Sequence, residues 1–495
     1  MKKNNLIRLV KTLSGSEKRY FKLYCKKQSG SKEYLDLFGI ICKQKSTDDP
    51  KLIQTEFNRK HPGKSYENTA QYLLKVIADA LVHIGIANNK WFQQHHSLMR
   101  SKVFFERSLP KEGYNEIKKA QQLAHELQDN LVQFQSYRLS INYLSDSGFV
   151  RMEEKDLVEL QMRAKNHLRQ LHLLQEHSSL YELLRFRLIR SGRSLSKEDT
   201  DKLNDLLISE LSLITRGNET NFESQKMHLL FQSFFLTHTG QYKSSLKSFR
   251  ELNRLFEEHQ SLWSFPPYDY LSTLEGILDN LRTIGYFGEM EFYMQKIENL
   301  LEHRYPDYFR TIASQTIYIY RLHLLLNTSG HTQAQQLSKS IPTVLLNNGT
   351  LLNYEKRTEL IFYIGLTYFF NGDLQNANKQ MSKITALSKI KGSSSIFKAA
   401  WLTHMLIHYE LDNLNFLEYE IRSYKRAFLK SGKPLKIEGL LFKLIRYDPK
   451  RKNKISKQRF YNTLSPVLDE IDQNNFEKQI LKYFDFKCWI RNKLT

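Results

Sequence analysis

Turn-forming residues recur along this chain at Gly240, Gly285, Gly330, Gly372 and Asn413, in steps of 45, 45, 42 and 41 residues. Each lies between two segments whose apolar residues repeat at helical spacing. A helix pair closed by a tight turn cannot bury both apolar faces by itself, but stacking pairs side by side can. The near-constant step therefore predicts an all-α chain of tandem antiparallel helix pairs, an α-solenoid, most regular over 225–430. Composition agrees. Only 20 Gly and 10 Pro are spread over 495 residues, and a chain poor in both reads as helices joined by short loops. Aromatic residues at 12% argue against long disorder.

The most complete unit spans 358–389. It carries Ile361-x-x-Ile364-Gly365-x-x-Tyr368, the turn at Gly372, then Ala377-x-x-x-Met381. Small residues at 365 and 377 let two helices cross closely, Tyr368 and Met381 fill the space beside them, and Gly372 permits the turn. A second unit is in register: Leu229-x-x-Gln232-Ser233-x-x-Leu236, Gly240, then Ser245-x-x-x-Phe249. The first unit resembles the tetratricopeptide repeat, with no Trp, Met381 in place of Phe, and Lys389 where Pro is usual, and the second resembles it more weakly. The resemblance implies stacked helix pairs that bind an extended segment or a helix in a groove lined by the first helix of each pair. The step of 41–45 exceeds the usual repeat of about 34, which also admits a HEAT-like or irregular array. Phe362, Leu366 and Phe369 lie off the packing stripe. They are expected either to line that groove or to pack on the neighbouring pair. Partner binding in the groove requires that the chain's own helices do not fill it.

Outside the array, Ser14-Gly15-Ser16-Glu17 forms a capping box that opens a helix running to Gly30. Further helices are expected over 32–44, over 50–60 with Pro50 at its first position, over 66–86 and near 90–108. Leu13-Ser14-Gly15-Ser16-Glu17-Lys18-Arg19-Tyr20-Phe21 resembles the L-S-x-x-E-K-R-Y-F opening of a group of uncharacterised bacterial tetratricopeptide-like proteins; that resemblance implies no activity. Four regions follow: a basic N-terminal helical domain (1–110), degenerate helix pairs (111–220), helix-pair repeats (221–430) and a basic C-terminal cap (431–495). Ala120 and Ala124 mark one face of a helix in the second region, 216–221 reads as a linker, and Ser431–Pro434 ends the last repeat.

The formal net charge is +22, and it sits at the ends. Residues 1–110 hold 21 Lys/Arg against 9 Asp/Glu, and residues 421–495 hold 19 against 7, so the repeats between are close to neutral. Two clusters stand out. Lys18, Arg19, Lys22, Lys26 and Lys27 interleave with Tyr20, Phe21 and Tyr24, and Arg446, Lys450, Arg451, Lys452, Lys454, Lys457 and Arg459 form the densest group. Either cluster is a candidate contact for a polyanion or an acidic partner, or a solvated basic face. Three widely spaced cysteines (Cys25, Cys42, Cys488) suit a reducing compartment. The apolar run Leu6–Val10, broken by Arg8, is short for an export signal, and the uncharged run Leu360–Phe370 is short for a membrane span. The expected location is the cytoplasm, without membrane contact.

Motifs for chemistry are weak. Gly63-Lys64-Ser65 ends like a phosphate loop, but its leading glycine is Asn58 and a helix precedes it. His404 and His408 share a helix face, yet no third zinc ligand lies at suitable spacing. His95-His96 and His172 with His177 are weaker still. Glu153-Glu154 and Asp469-Glu470 diverge on a helix, and no nucleophile elbow or dinucleotide fingerprint occurs. The sequence thus predicts no enzyme, cofactor or metal. It predicts a scaffold or adaptor that binds another protein or peptide on its repeat surface. The alternative is a nucleic-acid-associated protein or transcriptional regulator using the basic ends.

Overall fold

A computed structural model describes residues 2–26, 32–44, 50–150, 152–190, 197–214, 221–346, 354–391, 394–429 and 434–494. Among them the chain is all-α: helices and four short 3-10 turns, with no strand. It divides into two compact units, 1–172 and 173–495.

The first unit holds α1 (Lys2–Thr12), α2 (Gly15–Lys26), α3 (Glu33–Lys43), α4 (Pro50–Lys60), α5 (Tyr66–Asn88), α6 (Lys90–Glu106), α7 (Pro110–Glu126) and α8 (Asn130–Asp146). The α1 helix was not foreseen; Leu6, Ile7 and Val10 share one face of it and are buried with Phe21, Leu37, Phe38, Phe57, Val76 and Ile77. The capping box at the start of α2 is made, Glu17 N–H donating to Ser14 Oγ at 3.2 Å and Ser14 N–H to Glu17 Oε2 at 2.6 Å. Gly63 and Ser65 have local roles: Gly63 takes φ +89 in the turn, and Ser65 Oγ caps α5 by accepting from Asn68 N–H. By length and composition α5 is apolar enough to cross a membrane; here its Leu73, Val76, Ile77 and Ala80 pack in the core of the unit. Ala120 and Ala124 are buried on α7, and the Phe105 ring fills the space beside Gly113.

The division between the units falls inside α9 (Glu154–Arg190). The second unit continues with α10 (Lys197–Ile214), α11 (Phe222–His238), α12 (Tyr242–Glu258), α13 (Tyr268–Ile284), α14 (Met290–Glu302), α15 (Asp307–Asn327), α16 (His331–Ser340), α17 (Tyr354–Phe370), α18 (Leu374–Lys391), α19 (Ser395–Glu410) and α20 (Leu414–Phe428). It ends with α21 (Lys436–Tyr447), α22 (Lys454–Gln473), α23 (Lys478–Leu481) and α24 (Phe486–Leu494).

The helices from α11 to α20 form five consecutive pairs, each helix packed on the next. First helices also pack on first helices: α13 on α15, α15 on α17 and α17 on α19. Gly240, Gly285 and Gly372 take φ between +78 and +88 at three pair turns. At the other two, the left-handed residue lies one position earlier than the sequence suggested, at Ser329 (φ 62) and Asp412 (φ 62). Gly330 and Asn413 instead begin the second helices with negative φ. Close crossings occur where the small residues sit. A Cβ on Gly365 would lie 2.8 Å from Met381 Cε, and one on Gly276 would lie 2.3 Å from Phe249 Cζ. Ala377 is buried, Tyr368 packs at the edge of the core, and Ser233 accepts at its carbonyl from Ser245 Oγ at 2.9 Å. Residues Ser395–Tyr409 of α19 are buried on every side, as a helix enclosed by its neighbours must be; α19 meets α17, α18, α20, α21 and α23.

Candidate functional site

The first helices of the pairs bring together a polar cluster centred on Arg282. Asp279 and Arg282 lie one turn apart on α13, Tyr320 and His323 on α15, and Glu359 and Tyr363 on α17. Arg282 joins them. Its Nε and Nη2 donate to Asp279 Oδ1 at 3.0 and 2.6 Å, and its Nη1 donates to Glu359 and to Tyr363 Oη at 3.1 Å. The guanidinium also stands 4.9 Å from the Tyr320 ring centre, a charge held against a π face.

The chain's own C-terminal segment closes this cluster. After α22, residues 474–485 run back across the first helices as a strap containing α23, which contacts α13 and α19. Lys482 Nζ donates to both Asp279 carboxylate oxygens at 3.0 Å. The Tyr483 ring lies 5.0 Å from the Arg282 guanidinium and 6.2 Å from Phe362, and its hydroxyl meets Ser395 Oγ at 3.4 Å. Phe484 packs on Phe369 and Phe370. At one end Tyr242 Oη donates to the Asn475 carbonyl at 3.2 Å, and Asn475 Cβ lies 2.8 Å from where a Cβ on Gly240 would sit. At the other end the Glu477 carboxylate accepts from the first amides of α21, Lys436 N–H at 2.7 Å and Ile437 N–H at 3.3 Å. Beside the strap a cleft of about 290 Å³ remains, lined in part by Glu275, Lys356, Glu359 and Gln479.

Electrostatics follow from burial and pairing. Burial pushes the Asp279 carboxyl up, but Lys482 and Arg282 outweigh it and hold the group well below the usual carboxylate range. Burial drives His323 down to about 3, with Arg282 adding to the effect. It also drives Tyr320 and Tyr363 well above the ordinary phenol value. At neutral pH the cluster therefore holds an ionised Asp279, a charged Arg282, a neutral His323 and neutral phenols.

No protein-family model matches this chain. No curated protein matches it either.

Of the residues expected to line a groove, Phe362 and Phe369 do lie on the first-helix face, and both are covered by the strap; Leu366 is buried. The strap thus occupies this part of the first-helix face, because the C-terminal region folds back along the helix pairs. The strap contacts were missed because Lys482 and Asp279 are 203 residues apart and neither belongs to a motif.

The two basic clusters lie in different units. Arg19, Lys22 and Lys26 are exposed on α2 and Lys18 is half-buried, while Lys27 lies outside the described residues. In the C-terminal cluster two cations are engaged locally. Lys450 Nζ donates to the carbonyls of Tyr409 at 2.8 Å and Glu410 at 3.2 Å, and Arg451 pairs with Asp448 at 3.0 Å. Arg446, Arg451 and Lys452, with Arg422 and Lys425 of α20, border a cavity of about 680 Å³. Lys454 and Arg459 are exposed on α22, and Lys457 is half-buried.

His404 and His408 are buried in a hydrogen-bonded network. His404 Nε2 faces His408 Nε2 at 3.1 Å and Asn378 Oδ1 at 2.8 Å, whereas Glu420 approaches the opposite ring edge, 3.8 Å from Nδ1. These donors diverge and do not enclose one ion. His177, read as weaker, is brought together with Glu210 and His228 from two other helices. No local spacing could have signalled that cluster, because its members are 33 and 18 residues apart.

Proposed function

We propose that this chain is a non-catalytic interaction scaffold: an α-solenoid similar to tetratricopeptide arrays, which binds a short segment of another protein on the face of its first helices only after its own strap has left that face. The observation that carries this reading is the seating of the chain's own strap, with Lys482 on Asp279 and Tyr483 on Arg282. A face that holds a lysine and the aromatic residue after it in this way selects that chemistry. A partner segment with the same lysine–aromatic pair takes the place when the strap is out. The regular step of the turns and the packing of α13 on α15, α15 on α17 and α17 on α19 support the solenoid part.

The test uses a fluorescent peptide spanning 474–486 and the full-length chain. A tethered strap competes at an effective concentration on the order of millimolar, so the natural chain binds the added peptide poorly. A chain carrying Lys482→Ala and Tyr483→Ala in its own strap binds it at least about tenfold more tightly, read as fluorescence anisotropy. If neither chain binds, the face does not act in trans and the reading fails.

A second reading has its own observation, the cavity bordered by Arg422, Lys425, Arg446, Arg451 and Lys452, whose five cations outnumber the two carboxylates there, Glu418 and Asp448. Such a concentration of cations suits a polyanion such as nucleic acid, which would bind away from the strap residues.

A further inference from the structure

Three helices at the start of the second unit bring one imidazole or carboxylate each to a single point. His177 lies on α9, Glu210 on α10 and His228 on α11. His177 Nδ1 is 3.0 Å and His228 Nδ1 is 2.7 Å from the same carboxylate oxygen, Glu210 Oε1. The ligating atoms of all three residues lie within 4.8 Å of one another. We propose that His177, Glu210 and His228 bind a divalent transition-metal ion, Zn2+ foremost.

The donor set is two imidazole nitrogens and a carboxylate oxygen. That combination suits zinc and its first-row neighbours, whereas calcium and magnesium prefer oxygen alone. Zinc holds such donors at about 2.0–2.2 Å in a tetrahedron, which sets neighbouring donors about 3.4 Å apart. The observed 2.7 and 3.0 Å separations reach that value by opening about 0.7 and about 0.4 Å, within reach of side-chain rotation. A second observation points the same way. The other carboxylate oxygen, Glu210 Oε2, is buried and has no hydrogen-bond partner among the described residues. A buried carboxylate oxygen without a partner is costly, and a cation bound to the same carboxylate offsets that cost.

Hydrogen bonding explains the rest of the geometry, since two neutral imidazoles can each donate Nδ1–H to Glu210 Oε1. It leaves Oε2 unanswered. Metal binding uses the same three donor atoms, replaces those two protons and neutralises the carboxylate whose Oε2 is left without a hydrogen bond. The site is graded in access, the side chains of His177 and Glu210 being at most 2% exposed and that of His228 13%. Three protein ligands leave the fourth zinc position for water or for an outside ligand, and the half-buried His228 lies on the side from which it enters. Contrast the His404 and His408 pair, where Glu420 faces the opposite ring edge and no shared point exists. The consequence is mechanical. The apolar contact among α9, α10 and α11 is a small cluster built on Leu184, Leu188, Leu203, Leu206, Phe231 and Phe235, and an ion here ties those three helices together.

The experiment titrates Zn2+ into the full-length, chelator-stripped chain against a chromophoric competing chelator, with Co2+ as a second probe. The natural chain takes up one equivalent of Zn2+, and Co2+ produces the visible absorption of a four-coordinate site. Glu210→Gln and His228→Gln each weaken binding by more than about 100-fold, beyond the cost of losing an outer-shell partner, and abolish the Co2+ spectrum. His228→Gln is the informative variant if Glu210→Gln does not fold, because His228 is the most accessible of the three; its helix content is checked by circular dichroism. No stoichiometric uptake by the natural chain overturns the proposal. So does uptake that persists unchanged in a folded His228→Gln chain.

Discussion

Lys482→Met isolates what holds the strap on the array, because it keeps the length and apolar stem of the side chain and removes only its charge. In the native chain two charge-assisted hydrogen bonds, each 3.0 Å, join Lys482 Nζ to Asp279. An interaction of this kind contributes about 1.5–3 kcal/mol. Two features place the loss toward the middle of that range. The side chains of Lys482 and Asp279 are 14% and 21% exposed, so water screens part of the attraction. Asp279 also keeps the Arg282 guanidinium on Oδ1, so the variant does not strand a bare buried carboxylate. The expected cost is about 2 kcal/mol, which raises the population with the strap open by roughly 30-fold. Hydrogen exchange followed by mass spectrometry reads this directly. Peptides covering 474–486 exchange about 30-fold faster in the variant, while peptides from α13, α15 and α17 keep their native rates. Unchanged exchange in the strap refutes the role given to Lys482. Equal acceleration throughout the second unit refutes the idea that the strap opens separately from the array.

Acid should weaken the second unit through His323 and His408, which burial depresses to about 3 and about 4. Both are held neutral in the folded chain but charge near pH 6.5 when unfolded, so their stability is complete above about 6.5 and is lost as pH falls toward those values. At pH 4.5 each removes about 2–3 kcal/mol; a urea midpoint unchanged between pH 7.5 and 4.5 contradicts this. Gly276→Ala drives a methyl into the Phe249 ring, with its Cβ 2.3 Å from Cζ, and costs about 1–3 kcal/mol as overpacking. Phe249→Leu in the same chain restores part of that loss, and a melting temperature unaffected by Gly276→Ala shows that the crossing is not tight. If the cavity beside Arg446 and Lys452 binds nucleic acid, Arg446→Ala with Lys452→Ala lowers the slope of log affinity against log salt by about two. A natural chain that fails to bind any duplex at low salt removes the nucleic-acid reading.

Local signals in the sequence translated well into local structure. The Ser14–Glu17 box, Pro50 at the start of α4 and the glycines at 240, 285 and 372 all act over a few residues, and each is found as a cap, a helix start or a left-handed turn. The turns near 330 and 413 were displaced by one residue because Ser329 and Asp412 adopt left-handed backbone without being glycine. The Lys2–Thr12 helix carries only a short apolar face, Leu6, Ile7 and Val10, with no capping signal before it, so local sequence marks it weakly. What the sequence hid is non-local. Lys482 reaches a carboxylate on α13, and His177 meets partners from α10 and α11. Such pairs carry no spacing rule, since the packing of intervening helices decides their approach.

The strap also constrains what a partner must look like if it uses the same face. Lys482 is only one of its anchors. Glu477 accepts from the first two amides of α21, groups that a helix start leaves without internal partners, and Asn475 closes against the α11–α12 turn through Tyr242 and Gly240. A segment that displaced the whole strap but supplied only the lysine and the aromatic ring would leave the Lys436 and Ile437 amides of α21 without the Glu477 carboxylate. Full replacement needs an acidic residue about five positions before the lysine, matching the spacing of Glu477 and Lys482, with an aromatic residue immediately after it. Among peptides scanned at these three positions, loss of the acidic residue should therefore weaken binding beyond its own charge, because it also removes a helix cap worth about 0.5–2 kcal/mol. Equal binding with and without that acidic residue would mean that a partner engages the Asp279–Arg282 cluster alone and leaves the Glu477 cap in place.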